Sequence, residues 1–381
     1  MSVDLLSFFT DPLFRGPILA SMFMCLTASL IGVLVFLRGR SLIGESLSHA
    51  SYPGVVLAAT ILSSFKGLSF NQGIFWMFTG AGLSAFLGFV LIKRLEKLNV
   101  YTDAALCFIL SVFFGFGVLL SSRLQFLNSY WYKQSQTIIF GQTATMGDWY
   151  IFVYAILSCL VISFILIFFK SIKLFYFDPC FAKSIGFKHR LFDHLNLFLL
   201  LLAICVGMKS VGVVLMSGML IAPCIAAKQF TNKLSILFFL TALIALISAF
   251  LGNYLSLMLP VWLAKDSVSK ISLPTGPMIL LVASSFCFIG FILNPRSGLL
   301  KNWFSYNHLK IHYLKKIIIK NLYIKGPQGI RKLNQNLGIS YFFLAITAAY
   351  LITKKDLFSD LNGRLDLTEK GRESMKRFFE N

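Results

Sequence analysis

Residues 17–37 read PILASMFMCLTASLIGVLVFL and contain no charged side chain. A helix needs about 20 apolar residues to cross the hydrocarbon core of a bilayer, because its backbone groups must satisfy one another there. Arg38 and Arg40 follow the stretch, and no small-residue cleavage site ends it. We therefore expect a retained membrane-spanning helix and not a secretory signal.

Apolar stretches of this kind recur along most of the chain. Of 381 residues, 57% are hydrophobic and 13% are charged, and this charged share is about half that of a soluble domain. An ordinary soluble protein is therefore excluded. The pattern predicts an all-α integral membrane fold, a polytopic bundle of about eight to nine transmembrane helices. Gly212 and Pro223 would suit a broken or re-entrant helix, so eight full spans plus a half-span remain an alternative to nine. The predicted spans are 17–37, 50–65, 72–92, 104–121, 149–169, 193–208, 211–227, 234–259 and 275–294.

The positive charge divides the chain into two parts. Residues 296–381 contain 16 Lys and Arg against 6 Asp and Glu, a net charge of +10. The preceding 295 residues contain 19 basic and 9 acidic side chains, also +10 but far more dilute. We therefore predict two domains, a transmembrane domain over residues 1–295 and a basic tail over residues 296–381.

Lysine and arginine occupy alternate loops of the transmembrane domain. Loops rich in these residues tend to remain on the cytoplasmic side of the membrane. The pattern predicts an N-terminus outside the cell and, with nine spans, a cytoplasmic tail. The loop residues are Arg38, Arg40, Lys93, Arg94, Lys97, Lys170, Lys173, Lys183, Lys188, Arg190, Lys228 and Lys233.

Glu45 and His49 lie at the start of the second span. An ionisable group at membrane depth is retained only with a partner or a role, and residues four apart share one face of a helix. A carboxylate with an imidazole suits Mn²⁺, Fe²⁺ or Zn²⁺ better than Ca²⁺ or Mg²⁺, which prefer oxygen ligands alone. Alternatively, Glu45 pairs with Arg38 or Arg40, and His49 is a hydrogen-bonded packing residue.

The residues around this pair resemble a family signature. Residues 42–54 read LIGESLSHASYPG, which resembles the LxGDxxSHxxxPG signature of the membrane permeases of manganese, zinc and iron ABC importers, the ABC-3 family. Ser48, Pro53 and Gly54 are matching motif positions. The resemblance implies that Glu45 and His49 line the translocation path near its cytoplasmic side, which makes them the candidate metal ligands without saying how long they hold the ion. Glu45 departs from the pattern, since the family most often has the shorter Asp there, and this leaves the ligand geometry and metal preference open.

Further segments match the same family in order. Residues 177–186 resemble its FDPxxAxxxG loop, and residues 210–223 resemble its VGxLL…LLxxPAA helix. Residues 251–277 resemble the GxxxS…xPxG end of the membrane body. The resemblance covers about residues 10–295.

The loop over residues 170–190 is basic and has a mechanical interpretation. Asp178-Pro179 suits a turn or a helix start, and Ala182 and Gly186 at spacing four would give a short helix with a small face for close packing. The resemblance implies that this is the coupling helix that sits in a groove of an ATPase subunit. An ordinary interfacial loop is the alternative.

The sequence contains no GxxxxGK[ST] phosphate-binding loop. The ATPase must therefore be a separate chain, and this chain is not expected to be an enzyme. The implied partners are a cytoplasmic ABC ATPase dimer, a second permease protomer, identical or related, and an external metal-binding receptor. No permanently bound cofactor is expected, because the divalent transition metal is the cargo. The implied location is the bacterial inner membrane.

The basic tail resembles a second family. Residues 325–337 and 341–353 predict two helices joined by a short glycine turn, and Asn362-Gly363 predicts a tight hairpin. With the sequence LTEKG at residues 367–371, the tail is similar to the winged helix-turn-helix of diphtheria-toxin-repressor-type metal-dependent repressors, in truncated form. DNA is therefore a candidate partner. The second helix is poor in the Arg, Asn and Gln that read base edges, so packing on the transporter or its ATPase is the alternative.

These observations predict the permease subunit of an ABC importer for a divalent transition metal. Mn²⁺ or Fe²⁺ is favoured because the repressors that the tail resembles respond to those ions, and Zn²⁺ is the alternative. Two other classes remain as alternatives: a membrane-tethered, metal-responsive DNA-binding regulator and an ATP-independent secondary metal transporter. His308 and His312 are expected on a solvated or membrane-surface face of the tail and not at a metal site.

Overall fold

The computed structural model of the protein describes residues 11–64, 70–186, 189–263, 273–294, 298–337, 341–353, 357–359 and 364–369. Its contacts divide the chain into two compact units, Met1–Phe291 and Ile292–Asn381. Each unit is described by itself.

In its described ranges the first unit consists of helices and short connections, without strands. A short 3-10 helix, Thr143–Thr145, lies between the α-helices that end at Phe140 and begin at Asp148. The α-helices are α1 Pro12–Leu37, α2 Leu42–Ser63, α3 Phe70–Lys97, α4 Thr102–Leu127, α5 Ser129–Phe140, α6 Asp148–Ile167, α7 Phe169–Phe177, α8 Pro179–Ser184, α9 His189–Val211, α10 Val213–Phe230, α11 Leu234–Leu263 and α12 Thr275–Leu293.

Seven helices of the described residues are long and apolar enough to cross a membrane: α1, α3, α4, α6, α9, α11 and α12. The other two predicted spans correspond to α2 and α10. Helix α2 carries polar residues in its first half, and the apolar part of α10 is only the segment Leu215–Phe230. The predicted all-α membrane fold is confirmed. Helix α2 is its polar member, and α10 is the one with a short apolar stretch.

Of the two residues predicted to interrupt a helix, Gly212 marks a break between two helices, and Pro223 lies inside α10. Helix α9 ends at Val211, and α10 begins at Val213, because Gly212 has a φ of 92° that residues with side chains rarely adopt. The carbonyls at the end of α9 then need donors. The N–H of Gln142 donates to Lys209 O at 3.0 Å, and Thr143 Oγ1 donates to Ser210 O at 2.7 Å. The loop before α6 therefore caps this break.

Helix α5 is absent from the predicted spans. It has only 12 residues and begins at an Asn128 cap, whose side-chain oxygen accepts from the N–H groups of Tyr130 and Trp131. It packs against α2, α4, α9 and α10. Polar residues such as Lys133 and Gln136 interrupt its apolar pattern, so hydropathy alone does not detect it.

Helix α2 lies at the centre of the first unit. It packs against α3, α4, α5, α9 and α10, and only Leu57 and Ile61 along its length are exposed. Glycines bring its neighbours close: a methyl group on Gly117 of α4 would lie 3.1 Å from the backbone nitrogen of Pro53. Helix α1 forms a second centre against α6, α10 and α11.

The second unit combines helices with a small sheet. Helix α13 runs over Leu299–Lys325, α14 over Ile330–Leu337 and α15 over Tyr341–Thr353. Strands β1 Gln328–Gly329, β2 Leu357–Ser359 and β3 Arg364–Leu367 form an antiparallel sheet in the order β1-β3-β2. A separate hydrophobic core joins helices and sheet, formed by Ile318, Ile319, Leu322, Leu333, Leu344, Ala348, Leu351, Leu357, Leu365 and Leu367.

One helix of the tail starts later than predicted, and other predicted features lie outside the described residues. The helix predicted from Lys325 begins only at Ile330, because Gly326 has a φ of 73° and Pro327 follows it. The Asn362-Gly363 turn lies outside the described residues, as do Lys370-Gly371 and the side chains of His308 and His312.

Candidate functional site

The predicted ligand pair lies in the first half of α2. Glu45 is in the first turn and is half-buried, whereas His49, one turn later, is buried at 9% exposure. The imidazole meets the ring of Phe114 edge-on, with the centroids 4.8 Å apart. Its Nδ1 atom is buried and has no hydrogen-bond partner among the described residues. The alternative interpretation, a hydrogen-bonded packing residue, is therefore not met at Nδ1.

The two arginines before α2 are paired with other acids. Arg38 forms an ion pair with Asp193 of α9, and Arg40 forms one with Glu96 of α3 at 3.1 Å. Lys93 adds a second contact to Glu96 at 3.3 Å. In the described part of the chain, no ion pair reaches the carboxylate of Glu45. The pairing of Glu45 with these arginines, left open by the sequence, is absent from the structure.

Pro53 and Gly54 shape the helix just beyond the pair. Proline has no N–H, so the carbonyl of His49 lacks its usual donor one turn later. A methyl group on Gly54 would lie 2.6 Å from both the carbonyl carbon of Gly80 and the Cβ of Ser84 in α3. Glycine here allows the two backbones to touch. The motif residues therefore fix α2 tightly against α3.

Ser48 has a local role in the structure. Its hydroxyl donates to the carbonyl of Glu45 at 2.9 Å, and its own carbonyl accepts a hydrogen bond from Ser51. Such back-bonding competes with the helical ladder and often bends a helix. Ser48 is thus a residue that shapes α2, while the hydroxyl oxygen retains acceptor capacity.

The pair by itself does not form a metal cage. No group of three or more His, Cys, Asp or Glu side chains is close enough to hold an ion within the described ranges. Stable protein sites for transition metals usually use three or four ligands. Two ligands from one chain suit a site that releases its ion, or one that water or a second chain completes.

A cavity among the described helices of the first unit lies at the end of the motif and not at the pair. It has a volume of about 870 Å³ and lies between α2, α3 and α4, with Pro53 and Gly54 at one wall. Apart from the hydroxyls of Thr79 and Ser84, its lining side chains are apolar. It therefore offers no carboxylate, imidazole or thiolate ligand to a cation.

The predicted coupling segment is a short capped helix. The carboxylate of Asp178 accepts from the N–H of Phe181 at 3.0 Å, and Pro179 occupies the first turn of α8. Both residues therefore fix the start of the helix, as the sequence predicts. Helix α7 runs directly before it, and the two helices pack together.

The small face predicted from Ala182 and Gly186 is wrong. Ala182 is fully buried inside this chain, and Gly186 lies beyond the end of α8 with a φ of 76° and open space around it. Two residues that do not share a helix cannot form one face. The segment instead exposes three large apolar side chains, Phe177, Phe181 and Ile185, beside polar ones such as Asp178 and Lys183.

Sequence reasoning missed the partners of Arg38. Its guanidinium contacts Asp193, the hydroxyl of Tyr176 and the face of the Phe175 ring, 5.9 Å from the centroid. These residues lie more than 130 positions later in the chain. Only the rarity of acids in a membrane body marks Asp193 in advance.

The fold and site define a class of protein: a multi-pass helical membrane protein with an ionisable pair on its central helix. The chain matches the ABC 3 transport family over residues 10–294 and belongs to that family.

Known relatives and a solved structure support the same family. A probable metal transport system membrane protein of Chlamydia trachomatis is 30% identical over 95% of this chain and 82% of its own length. The zinc transport system membrane protein TroC of Treponema pallidum is 32% identical over 78% of this chain and 94% of its own. The structure of PsaBC from Streptococcus pneumoniae in complex with Fab is 26% identical, with a TM-score of 0.65, and covers 79% of this chain and 99% of the solved one.

Proposed function

We propose that this chain is the permease subunit of an ABC importer that moves a divalent transition metal into the bacterial cytoplasm. One observation carries the proposal: Glu45 has no basic partner in the described structure, although two arginines lie within seven residues of it. A half-buried carboxylate beside a buried imidazole with an unpartnered nitrogen attracts a cation.

The donor set favours a borderline metal. One carboxylate and one imidazole suit Mn²⁺, Fe²⁺ or Zn²⁺. The resemblance of the tail to iron- and manganese-responsive repressors favours Mn²⁺ or Fe²⁺. The zinc system of the Treponema relative keeps Zn²⁺ as the alternative. The metal is cargo, bound by Glu45 and His49 only during passage.

The proposed assembly contains three kinds of partner. A second permease protomer, identical or related, completes the path, and an external receptor delivers the ion. A cytoplasmic ABC ATPase dimer contacts the segment from Asp178 to Gly186 and drives alternating access. The basic loops support an arrangement in the inner membrane with the N-terminus outside and the tail in the cytoplasm.

Uptake by the reconstituted complex tests the proposal. Proteoliposomes that contain the permease, its ATPase and its receptor should accumulate Mn²⁺, Fe²⁺ or Zn²⁺ only with ATP. We expect Glu45→Gln and His49→Ala each to abolish uptake while the complex still assembles. Asp103→Asn, at an exposed acid of α4, is the control and should transport normally. Full transport by both site variants, or uptake without ATP and ATPase, overturns the proposal, and the second result favours a secondary transporter.

The tail is proposed to be a cytoplasmic, winged-helix-like unit. The order of helix, strand, two helices and two strands, with β3 between β1 and β2, supports this architecture. The exposed described side chains of α15 are Ala349, Tyr350, Ile352 and Thr353, none of which is the Arg, Asn or Gln of base recognition. Packing on the transporter or its ATPase therefore fits better than operator binding. Sequence-specific, salt-resistant mobility shifts with the full-length protein in detergent would instead establish the DNA-binding regulator.

A further inference from the structure

A network of polar and aromatic contacts connects the segment before α8 with the start of α2. Arg38, in the short connection between α1 and α2, forms an ion pair with Asp193 and contacts the hydroxyl of Tyr176 in α7. The guanidinium also lies over the ring of Phe175, and Asn196 donates a hydrogen bond to the Tyr176 hydroxyl at 3.4 Å. One side chain therefore joins α7 and α9 to the connection that leads into α2.

The environment of Arg38 makes these contacts matter. Its side chain is 16% exposed and that of Asp193 is 34% exposed, so the pair is partly shielded from water. Burial lowers the pKa of Arg38, while Tyr176 and Glu96 oppose this, and the guanidinium remains protonated at physiological pH. A shielded charge loses more when one partner leaves than a surface charge does, because the remaining group stays unpaired.

The connection itself is short and held at both ends. Gly39 has a φ of 67°, and Arg40 is held by Glu96 of α3. Helix α2 begins at Leu42, and Glu45 lies in its first turn. Only these four residues, 38–41, separate α1 from α2. A displacement of α7 that moves Arg38 is therefore expected to move the start of α2 and the carboxylate of Glu45.

We propose that Arg38 is a positioning residue that transmits movement of α7 and α8 to the start of α2, and so to Glu45. The inference rests on the proposed function, in which α8 contacts the ATPase and Glu45 passes the ion. If Arg38 only stabilised the fold, the same contacts would form, but their loss would not change the number of ions moved per ATP.

The test uses the full complex with ATPase and receptor in proteoliposomes, and it measures ATP hydrolysis and Mn²⁺ uptake in parallel. Arg38→Gln and Asp193→Asn should each lower the number of ions moved per ATP by about tenfold, a typical effect for a coupling residue. The KM for Mn²⁺ and the ATPase rate should stay within about twofold of wild type, since neither the ligands nor the nucleotide site changes. The double variant should be no worse than either single one, because both remove the same contact.

Milder and control variants keep the outcome interpretable. Tyr176→Phe removes one hydroxyl and should give a smaller loss of coupling even if Arg38→Gln assembles poorly. Arg38→Lys keeps the charge and should restore part of the ratio. Arg15→Gln breaks a matched Arg–Asp pair with Asp148, between α1 and α6, and should leave the ratio unchanged.

Two results overturn the inference. Either uptake and ATP hydrolysis fall together in all these Arg38, Asp193 and Tyr176 variants, or the ratio of the two stays at the wild-type value. The Glu45→Gln variant separates this failure from failure of the proposed function. If Glu45→Gln abolishes uptake while Arg38→Gln keeps the normal ratio, only the role of Arg38 is rejected.

Discussion

Replacing Gly54 by alanine tests the close contact between α2 and α3. The added methyl carbon would lie 2.6 Å from the carbonyl carbon of Gly80 and 2.6 Å from the Cβ of Ser84. Carbon atoms normally approach to about 3.5–4.0 Å, so the helices must separate by about 1 Å. Neither neighbour is the end of a flexible side chain. We therefore expect a cost near the upper end of core overpacking, about 3 kcal/mol.

The matched control is Gly115 of α4, where an added methyl group meets nothing within 4 Å. Gly115→Ala should be neutral or stabilising by up to about 1 kcal/mol, because alanine loses less conformational freedom in a helix. Denaturant unfolding in detergent, followed by helix content, measures both variants. A Gly54→Ala protein as stable as Gly115→Ala would refute the reasoning. Gly54→Ala should also reduce uptake, since the separation displaces His49.

Three further predictions concern caps and burial. Asp178→Ala should destabilise α8 by about 1 kcal/mol, whereas Asp178→Asn should retain the cap, as measured by hydrogen exchange at the Phe181 amide. Thr143→Val should cost about 1–2 kcal/mol by leaving the buried carbonyl at the end of α9 without its donor, as measured by denaturant unfolding. Ala182→Leu should overpack a fully buried position and cost about 1–3 kcal/mol in the same unfolding assay.

Each of these predictions has a control close in sequence. Thr145→Val removes only an exposed local hydrogen bond at 3.2 Å and should be almost neutral. Lys183→Leu changes an exposed neighbour of Ala182 and should leave stability within about 0.5 kcal/mol. Equal effects of Thr143→Val and Thr145→Val, or of Ala182→Leu and Lys183→Leu, would contradict the burial argument. Equal exchange rates in Asp178→Ala and Asp178→Asn would contradict the capping argument.

Much of the membrane fold follows from hydropathy because lipid leaves the backbone few options. The long apolar runs become helices, and Gly212 marks the one break that the glycine pattern indicated. Helix α5 was missed because it is short and contains polar residues, although it packs against four other helices. A helix of that kind is stabilised by tertiary packing, which hydropathy does not encode.

Some features of the candidate site could be predicted from local sequence patterns, and others could not. The i,i+4 spacing placed Glu45 and His49 on one helix, and Asp178-Pro179 marked a helix start. The burial of Ala182 could not be predicted, since spacing alone does not tell which side of a six-residue helix faces the protein. The partner of Arg38 is a contact across 155 residues of sequence, and no local pattern encodes such a contact.

The polar start of α2 and the short apolar stretch of α10 have a consequence for biosynthesis. Neither helix is among the seven that satisfy the length and apolarity of a membrane span. In the folded chain they pack against each other, and along the described part of α10 only Phe230 is exposed. We therefore expect their insertion during translation to depend on neighbours such as α1, which is strongly apolar and precedes them. The helix that carries Glu45 and His49 is thus expected to enter the bilayer together with its flanking helices.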